Sequence, residues 1–337
     1  MTDFFILEEL QKIIKEIPRP RLLFKKGVTV KGFFRPYMSL SDYTSAGIFR
    51  DPDDITPVMV RFSSMLGDKG TADTRRNIKG MAVKFLSGDE VYDMICHNMP
   101  VNIINDKNKL LEMFRIFLVK EKFDGINTEA FWRYVLENNE VVTFALMLYS
   151  HFGIADKYVD IKYYTVNTCI WMNNNGEENI VRYKWMPVHE HEGKKEKSKL
   201  KISNNAAEFI AGFDPDRAHD GLINDVFNDK FPMFELYIQM TSSIKAYADR
   251  YYDDTILWDE NEIPYLCAGI MILDQIASAF ENESISFFPS NTIDGIKLPN
   301  DQLIDIFDFM AKTEARERGI VYDTKAAGAG FLQKSSE

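Results

Sequence analysis

The amino-acid sequence predicts an α+β fold, in which antiparallel strands form a meander or barrel and helices pack around it. Short segments rich in β-branched and aromatic residues follow one another closely, separated by turns of Gly, Asp and Asn. Longer segments with apolar residues at helical spacing lie between an early and a late group of these strands. The chain has 337 residues, 45% of them hydrophobic, which is enough to bury a large core.

The N-terminal part is predicted to begin with a helix and to continue as strands. Residues 1–17 interleave apolar and charged side chains, which indicates an amphipathic helical arm and not a signal peptide. Pro18 and Pro20 interrupt this helix, and residues 22–34 are predicted to form two strands separated at 25–27. Further strands are predicted at Val58–Ser63, Gly80–Phe85 and Tyr92–Ile95.

The remaining elements alternate between helical and strand patterns. Helical spacing predicts helices over residues 108–119 and 127–152. Strand signals return at 163–171 and 180–187, joined by Asn173-Asn174-Asn175-Gly176 as a hairpin, because these residues readily adopt positive φ. The later predictions are strands over 234–240 and 267–273 and a helix over 301–318.

Charge and cysteine content exclude several classes of protein. Lys plus Arg is 40 and Asp plus Glu is 51, a net charge of −11 that argues against nucleic-acid binding and against docking on an anionic membrane. No apolar segment approaches the ~20 residues of a transmembrane helix. The three scattered cysteines offer neither a disulfide framework nor a metal knuckle, which is typical of a reducing compartment. We therefore expect a cytoplasmic protein.

Several motifs resemble those of the catalase family. The segment 56–64 (TPVMVRFSS) is followed by GDKGTADT and KGMAVKF at the spacing of that family. Residues 92–101 (YDMICHNMPV) stand where the family has Trp-Asp-Leu-Val-Gly-Asn-Asn-Thr-Pro, and residues 21–27 (RLLFKKG) parallel Arg-Val-Val-His-Ala-Lys-Gly. Matches continue at 166–167, 231–239 and 294–299, so the resemblance covers nearly the whole chain.

The resemblance implies a fold and an assembly. It predicts a catalase-like antiparallel eight-stranded β-barrel, wrapped by α-helices, with a haem cavity against the barrel and an N-terminal helical arm over residues 1–17. A single domain would span residues 18–325, and 326–337 would form a C-terminal tail. The length is most similar to that of the small catalase-related haem peroxidases, and the family's intertwined subunits imply a homo-oligomer.

The positions that carry catalase chemistry in the family hold other residues here. That chemistry needs a distal base, a polar group that orients peroxide and an anionic axial ligand. By the resemblance, Phe24 replaces the distal histidine, and His97 replaces the distal asparagine with Asn98 beside it. The tyrosine that ligates iron falls on Met310, or on Ala311 if the helix is shifted by one residue.

The anion-binding part of the pocket is retained in the sequence. Arg21 and Arg61 match arginines that pair with haem propionates, and Ser63 matches a serine that supports the distal histidine. Arg316 or Arg318 matches a third arginine. These side chains could hold haem or another carboxylate or phosphate ligand, because a guanidinium fork suits such groups. Alternatively, the arginines make internal salt bridges.

The roles of His97 and Met310 have alternatives, and two further residues, Leu110 and Asn102, complete the candidate site. His97 could act as an acid, a base or a metal ligand, or it could be a hydrogen-bonded side chain that fills space beside Phe24. Met310 could ligate iron through its thioether or simply pack in the core. Leu110 matches the phenylalanine that flanks the family's haem, and Asn102 stands where the family has an apolar aromatic residue.

The resulting hypothesis is a catalase-fold protein without ordinary catalase activity or tyrosinate-ligated haem. Its cofactor-free cavity would bind or convert a small organic molecule, for which an anion is one option, with His97 and Asn98 as catalytic candidates. One alternative is a haem-dependent peroxidase or hydroperoxide-converting enzyme with non-standard iron ligation, and another is a non-catalytic oligomeric scaffold. A metal site is not assigned: His189 and His191 could chelate Zn or Ni on a strand, but a solvated loop is the favoured interpretation.

Overall fold

The computed structural model of the chain describes residues 4–16, 21–118, 127–188, 190–191, 194–195, 202–243 and 248–320. The helices are α1 (Phe4–Glu16), α2 (Lys107–Leu118), α3 (Thr128–Glu137), α4 (Val142–Tyr149), α5 (Asn204–Phe213), α6 (Arg217–Phe227), α7 (Ala279–Ser284) and α8 (Gln302–Glu317). The strands are β1 (Gly27–Pro36), β2 (Thr56–Ser64), β3 (Lys79–Ser87), β4 (Glu90–His97), β5 (Tyr163–Thr165), β6 (Cys169–Met172), β7 (Glu178–Val188), β8 (Glu190–His191), β9 (Lys194–Lys195), β10 (Met233–Ser242), β11 (Leu266–Ile276) and β12 (Ile296–Lys297).

A closed antiparallel barrel forms the centre of the fold. Hydrogen bonding runs in the order β10-β11-β1-β2-β3-β4-β5-β7, and pairing of β10 with β7 closes the ring. The predicted eight-stranded barrel is therefore confirmed. Beside β7, the strands β6 and β12 extend the sheet. Aromatic rings fill the interior, where Phe34 makes edge contacts with Phe85 and Trp185 at centroid distances of 5.5 and 6.0 Å.

The outer face of β2, β3 and β4 is the part of the barrel that lies next to the helical layer. Successive side chains of a strand point to opposite faces. Phe62, Met81 and Cys96 are paired across these strands and belong to the barrel core. Their sequence neighbours therefore point outward, toward a helical layer.

Helices cover this outer face with a second hydrophobic core. Leu10 of α1, Phe114 of α2, Phe131 of α3 and Ile306 of α8 are fully buried members of this core. The predicted N-terminal helix is present as α1, and its apolar face packs against α2 and α8 of the same chain. The apolar face of this amphipathic helix is thus buried within the chain.

Three predicted elements differ from the structure. Residues 22–26 do not form a strand, because Phe24 has a φ of 55° and breaks extended geometry, so one strand begins at Gly27. The long helix predicted over 127–152 is divided at Asn138, where the backbone becomes extended. The strand predicted over 163–171 is likewise divided, into β5 and β6.

One further prediction is confirmed, and some elements of the structure were not predicted. The hairpin at Asn173–Gly176 is confirmed: β6 pairs antiparallel with β7, and Gly176 has a φ of 79°. The helices α5, α6 and α7 have no counterpart in the sequence predictions. Within the described ranges, no helix combines the length and apolar character needed to span a bilayer. The predicted tail over 326–337 lies outside the described residues.

Candidate functional site

A cavity of about 230 Å³ lies between the outer face of the barrel and the helical layer. Strands β2, β3 and β4 form one wall, and α2 and α8 form the other. From the helices, the apolar side chains of Phe114, Phe307 and Met310 reach the cavity. The lining is largely apolar, and its polar groups are concentrated in a few places.

Two rows of paired residues run across the strand wall. Arg61 pairs with Ala82, which pairs with Ile95. The second row, two residues further along, consists of Ser63, Gly80 and His97. All six residues line the cavity. Because strand side chains repeat every second residue, the register places Arg61 and His97 on the same face at diagonal corners of this wall.

Three arginines form the cationic end of the cavity. Arg21 and Arg318 both approach Oε1 of Glu314, at 3.7 and 3.5 Å. Among the described residues, no carboxylate lies within 4.0 Å of Arg61, whose Nη1 donates to the carbonyl oxygen of Phe24 at 2.9 Å. Two of the three guanidinium groups therefore share one close carboxylate, and the third has none. Internal salt bridging, the alternative role for these arginines, accounts for Arg21 but not for Arg61.

The electrostatics of this end favour an anion. Burial, together with repulsion from Arg21, lowers the pKa of Arg61 to about 9 and that of Arg318 to about 10. Both groups remain charged at neutral pH. Their Nε atoms are buried and make no hydrogen bond to any described group. A ligand carboxylate or phosphate at this end would relieve the repulsion and supply the missing acceptor.

His97 is the polar group at the other corner of the strand wall. Its side chain is buried with 8% exposed, and neither ring nitrogen makes a hydrogen bond of good distance and angle to a described group. Burial lowers the pKa of His97 to about 4, against a smaller opposite effect of weak hydrogen bonding by the backbone of His97 and Met99. The imidazole is therefore neutral at pH 7.

Phe24 occupies a strained position between the two corners. Its φ of 55° is in the left-handed region, which a bulky residue rarely adopts. A hydrogen bond from its N–H to the carbonyl oxygen of Met65, at 2.9 Å, and the bond accepted from Arg61 hold this backbone. The ring lies directly over Gly80, where an added Cβ would be 2.7 Å from Cε1 of Phe24. Only glycine leaves room for the ring there.

The structure brings most of the predicted site residues together. The predicted residues that line the cavity are Arg21, Phe24, Arg61, Ser63, His97, Asn102 and Met310. Asn98 is not among the lining residues: its Oδ1 accepts from the backbone N–H of Lys79 at 2.9 Å, and its Nδ2 donates to the carbonyl oxygen of Phe152 at 2.5 Å. Leu110 is also outside the lining and is buried in the helical core.

Sequence reasoning missed several residues of the helical wall. Glu314 is the chief example, because it holds two of the three arginines. Arg318, and not Arg316, reaches the cavity. The missed signal was the spacing within α8: Phe307, Met310, Glu314 and the following Arg318 recur every three or four residues and therefore share one helix face.

The lining determines which prosthetic group the cavity can hold. Haem is the group that the sequence resemblance implies, and the arginine end suits its carboxylates. By the sequence resemblance the axial tyrosine falls on Met310 or, with a shift of one residue, on Ala311; both line the cavity, and no tyrosine occurs among the described lining residues. The residues present therefore fit the propionate end of haem but do not supply a phenolate for its iron.

The segment with His189 and His191, for which a solvated loop is the favoured interpretation, is only partly described. His191 lies in β8, and His189 lies outside the described residues. Across the part of the chain that is described, no group of three or more His, Cys, Asp and Glu side chains is placed to bind a metal ion.

Comparisons with known proteins all point to the same family. The catalase family profile matches residues 1–322. Catalase-2 of Bacillus subtilis (strain 168) is 30% identical over 315 residues, covering 90% of this chain and 44% of that protein. Catalase isozyme B of Oryza sativa subsp. japonica is 28% identical over 328 residues, covering 94% of this chain and 64% of that protein. The chain thus spans about half to two thirds of the length of these relatives.

Solved structures give the same fold. A fungal catalase crystal structure superposes with a TM-score of 0.81 at 24% identity, covering 94% of this chain and 63% of that chain. Catalase A from Saccharomyces cerevisiae gives the same TM-score and identity, covering 94% and 64%. The barrel, the cavity against its outer face and the match over nearly the whole sequence agree, and the chain belongs to the catalase family.

Proposed function

We propose that this protein uses the former haem cavity to bind a small organic anion and that it lacks both tyrosinate-ligated haem and ordinary catalase activity. The observation that carries this proposal is the surplus of positive charge at one end of an apolar cavity. Glu314 is the close carboxylate of both Arg21 and Arg318, and among the described residues Arg61 has none within 4.0 Å. Such an end recognises a carboxylate or a phosphate, and the apolar remainder recognises a hydrocarbon body.

Loss of catalase chemistry is supported by two side chains at the cavity wall. A phenyl ring at Phe24 cannot accept the proton of peroxide, which a distal base must do. A thioether at Met310 cannot supply the negative charge of a phenolate ligand. Each replacement removes a separate requirement of the reaction, so restoring one residue alone would not restore turnover.

The remaining groups support binding more strongly than conversion. His97, with a pKa of about 4, is a weak base at neutral pH. Asn98 is engaged with backbone groups and does not line the cavity. Glu314 is held between two arginines. The cavity thus offers groups that orient a ligand, whereas a strong base or nucleophile is not among these three residues.

The size of the cavity limits the occupant. Its volume of about 230 Å³ is about one and a half times that of a 150 Å³ apolar cavity that binds benzene. A carboxylic acid with a medium-length apolar chain is therefore a suitable class of ligand.

The absence of a standard haem is tested by spectroscopy on the full chain expressed with a haem precursor. We expect no Soret band, no stoichiometric iron and no peroxide consumption above background. A Soret band with stoichiometric iron would overturn the haem-free proposal. It would favour the second candidate, a haem enzyme with altered ligation, for which the neutral imidazole of His97 and the thioether of Met310 are the ligands that we would test first.

Anion binding is tested with decanoic acid and, as an uncharged control, decanol. We expect calorimetry to show that decanoate binds and that Arg61→Gln weakens its binding about tenfold or more, because a charge-assisted hydrogen bond is lost. Arg316→Gln is the matched control, since Arg316 is exposed and outside the lining. Equal binding of the acid and the alcohol by the wild type would contradict the proposal.

Self-association and location also remain predictions. We expect a homo-oligomer by family resemblance and a cytoplasmic location from the cysteine content, and sedimentation velocity of the full chain measures the size of the oligomer. An oligomer that binds none of the probes above would favour the scaffold alternative.

A further inference from the structure

The second polar corner of the cavity, opposite the arginines, is unexplained by anion binding alone. His97 is buried and lines the cavity, and neither of its ring nitrogens makes a hydrogen bond of good distance and angle to a described group. An imidazole left in this state loses its hydration without compensation. A buried polar group of this kind requires a partner that the chain itself does not supply.

The strand register sets the distance between the two polar corners. From Arg61 to Ile95 the wall crosses two strand spacings, and from Ile95 to His97 it advances two residues. With about 4.8 Å between strands and about 3.4 Å per residue, the Cα atoms of Arg61 and His97 are about 12 Å apart. The guanidinium group of Arg61 extends away from β3 and β4, toward β1. A Cβ added to Gly27 of β1 would lie only 2.8 Å from Cζ of Arg61.

The space between the two corners is mainly apolar, with Ser63 as the hydroxyl group of the second row. Ala82 and Ile95 lie on the strand side, and Phe114 and Met310 lie on the helical side. A ligand that reaches both corners is therefore extended, has a hydrocarbon middle and carries a polar group at each end.

We propose that the occupant is a chain carboxylic acid with a hydroxyl group at the far end, whose carboxylate binds at Arg61 and whose hydroxyl hydrogen-bonds to His97. This inference rests on the proposed anion binding and adds a second determinant of specificity. A neutral imidazole has one donor and one acceptor nitrogen, and a hydroxyl group can pair with either. The preference is thus independent of the tautomer that His97 adopts.

The experiment compares decanoic acid with ω-hydroxydecanoic acid on the wild type, His97→Phe and His151→Ala. We expect the wild type to bind the hydroxy acid about tenfold more tightly than decanoic acid, because the hydroxyl group makes a hydrogen bond with a buried imidazole that otherwise lacks one. His97→Phe should lose or invert this preference, because the hydroxyl would then be buried against a phenyl ring. His151 is exposed and outside the lining, so its alanine variant should keep the preference.

Nitrogen NMR of the histidine side chains gives a second test that needs no fold-altering variant at His97. In wild-type protein, the hydroxy acid should shift an imidazole resonance that decanoic acid leaves unchanged. Octanoic and dodecanoic acids, each with and without the ω-hydroxyl, test whether the preference depends on length, as a fixed span requires.

The outcomes separate this inference from the function on which it rests. If the wild type binds neither acid, the proposed anion binding fails and the inference fails with it. If both acids bind equally, anion binding stands, the inference is overturned, and water satisfies His97. If the hydroxy acid is preferred equally by wild type and His97→Phe, another group recognises the hydroxyl and the inference is likewise overturned.

Discussion

At the scale of single residues, the site depends on side chains whose surroundings set their charge. Arg61 and His97 are both buried, but one keeps its charge at neutral pH and the other does not. The difference follows from their reference pKa values, 12.5 and 6.5, which burial lowers in both cases. One wall of the barrel therefore presents a cation at one corner and a neutral hydrogen-bonding group at the other.

His97 makes the stability of the protein depend on pH. The unfolded chain takes up a proton at this histidine below about pH 6.5, whereas the folded chain does so only near pH 4. Stability is thus fully present above pH 6.5 and is lost as the pH falls toward 4, by up to about 3 kcal/mol.

Chemical denaturation of the wild type and His97→Phe across this pH window measures the effect. We expect the wild type to lose stability relative to the variant as the pH falls from 6.5 to 4. His151→Ala should follow the wild type, because His151 is exposed. A difference between wild type and His97→Phe that stays constant over the window would contradict the pKa of His97.

At the scale of elements, α8 carries the helical half of the site. Asp301 caps its N-terminus, with Oδ1 accepting from the backbone N–H of Leu303 at 2.8 Å. Its buried face then presents Met310 and Glu314 to the cavity. The two halves of the cavity therefore depend on different local rules, strand alternation on one side and helical repeat on the other.

Removing the cap of α8 should weaken the fold by a predictable amount. We expect Asp301→Ala to lower the free energy of unfolding by about 1 kcal/mol, since one backbone donor loses its acceptor. Asp301→Asn keeps a capping oxygen and should stay within a few tenths of a kcal/mol of the wild type. Urea denaturation of the two variants compares them directly, and equal losses would show that the cap is unimportant.

At the scale of the whole molecule, the barrel requires neighbouring strands to pair without steric conflict. The pairing of β1 with β11 contains a register shift between Lys31 and Gly32. A Cβ at Gly32 would lie 1.9 Å from the carbonyl oxygen of Ile272, which is backbone and cannot move aside. Glycine at this position is therefore required for the two strands to meet.

Substitution at this point should be severe. We expect Gly32→Ala to lower the free energy of unfolding by about 3 kcal/mol or more, because a backbone clash inside the barrel must be accommodated. Gly70→Ala is the matched control, since an added Cβ there meets nothing within 4 Å. Thermal unfolding distinguishes the two variants, and similar melting temperatures for both would contradict the proposed requirement for glycine at the register shift.

The sequence by itself determined the fold and most of the site. Strand alternation and turn chemistry identified β2, β3, β4 and the hairpin at Asn173–Gly176, and family motifs placed Arg21, Phe24, Arg61 and His97. These features are local or carried by contiguous motifs, so one chain is enough to detect them.

Only the tertiary structure decided which groups meet and which are left without partners. Glu314 is 293 positions from Arg21 and 253 from Arg61 in the chain, yet it shares their cavity. The exclusion of Asn98 and Leu110 from the lining, and the unpaired state of His97, follow from packing in the same way. Hydrogen bonding and burial depend on distances between remote segments, which periodicity along a sequence does not contain.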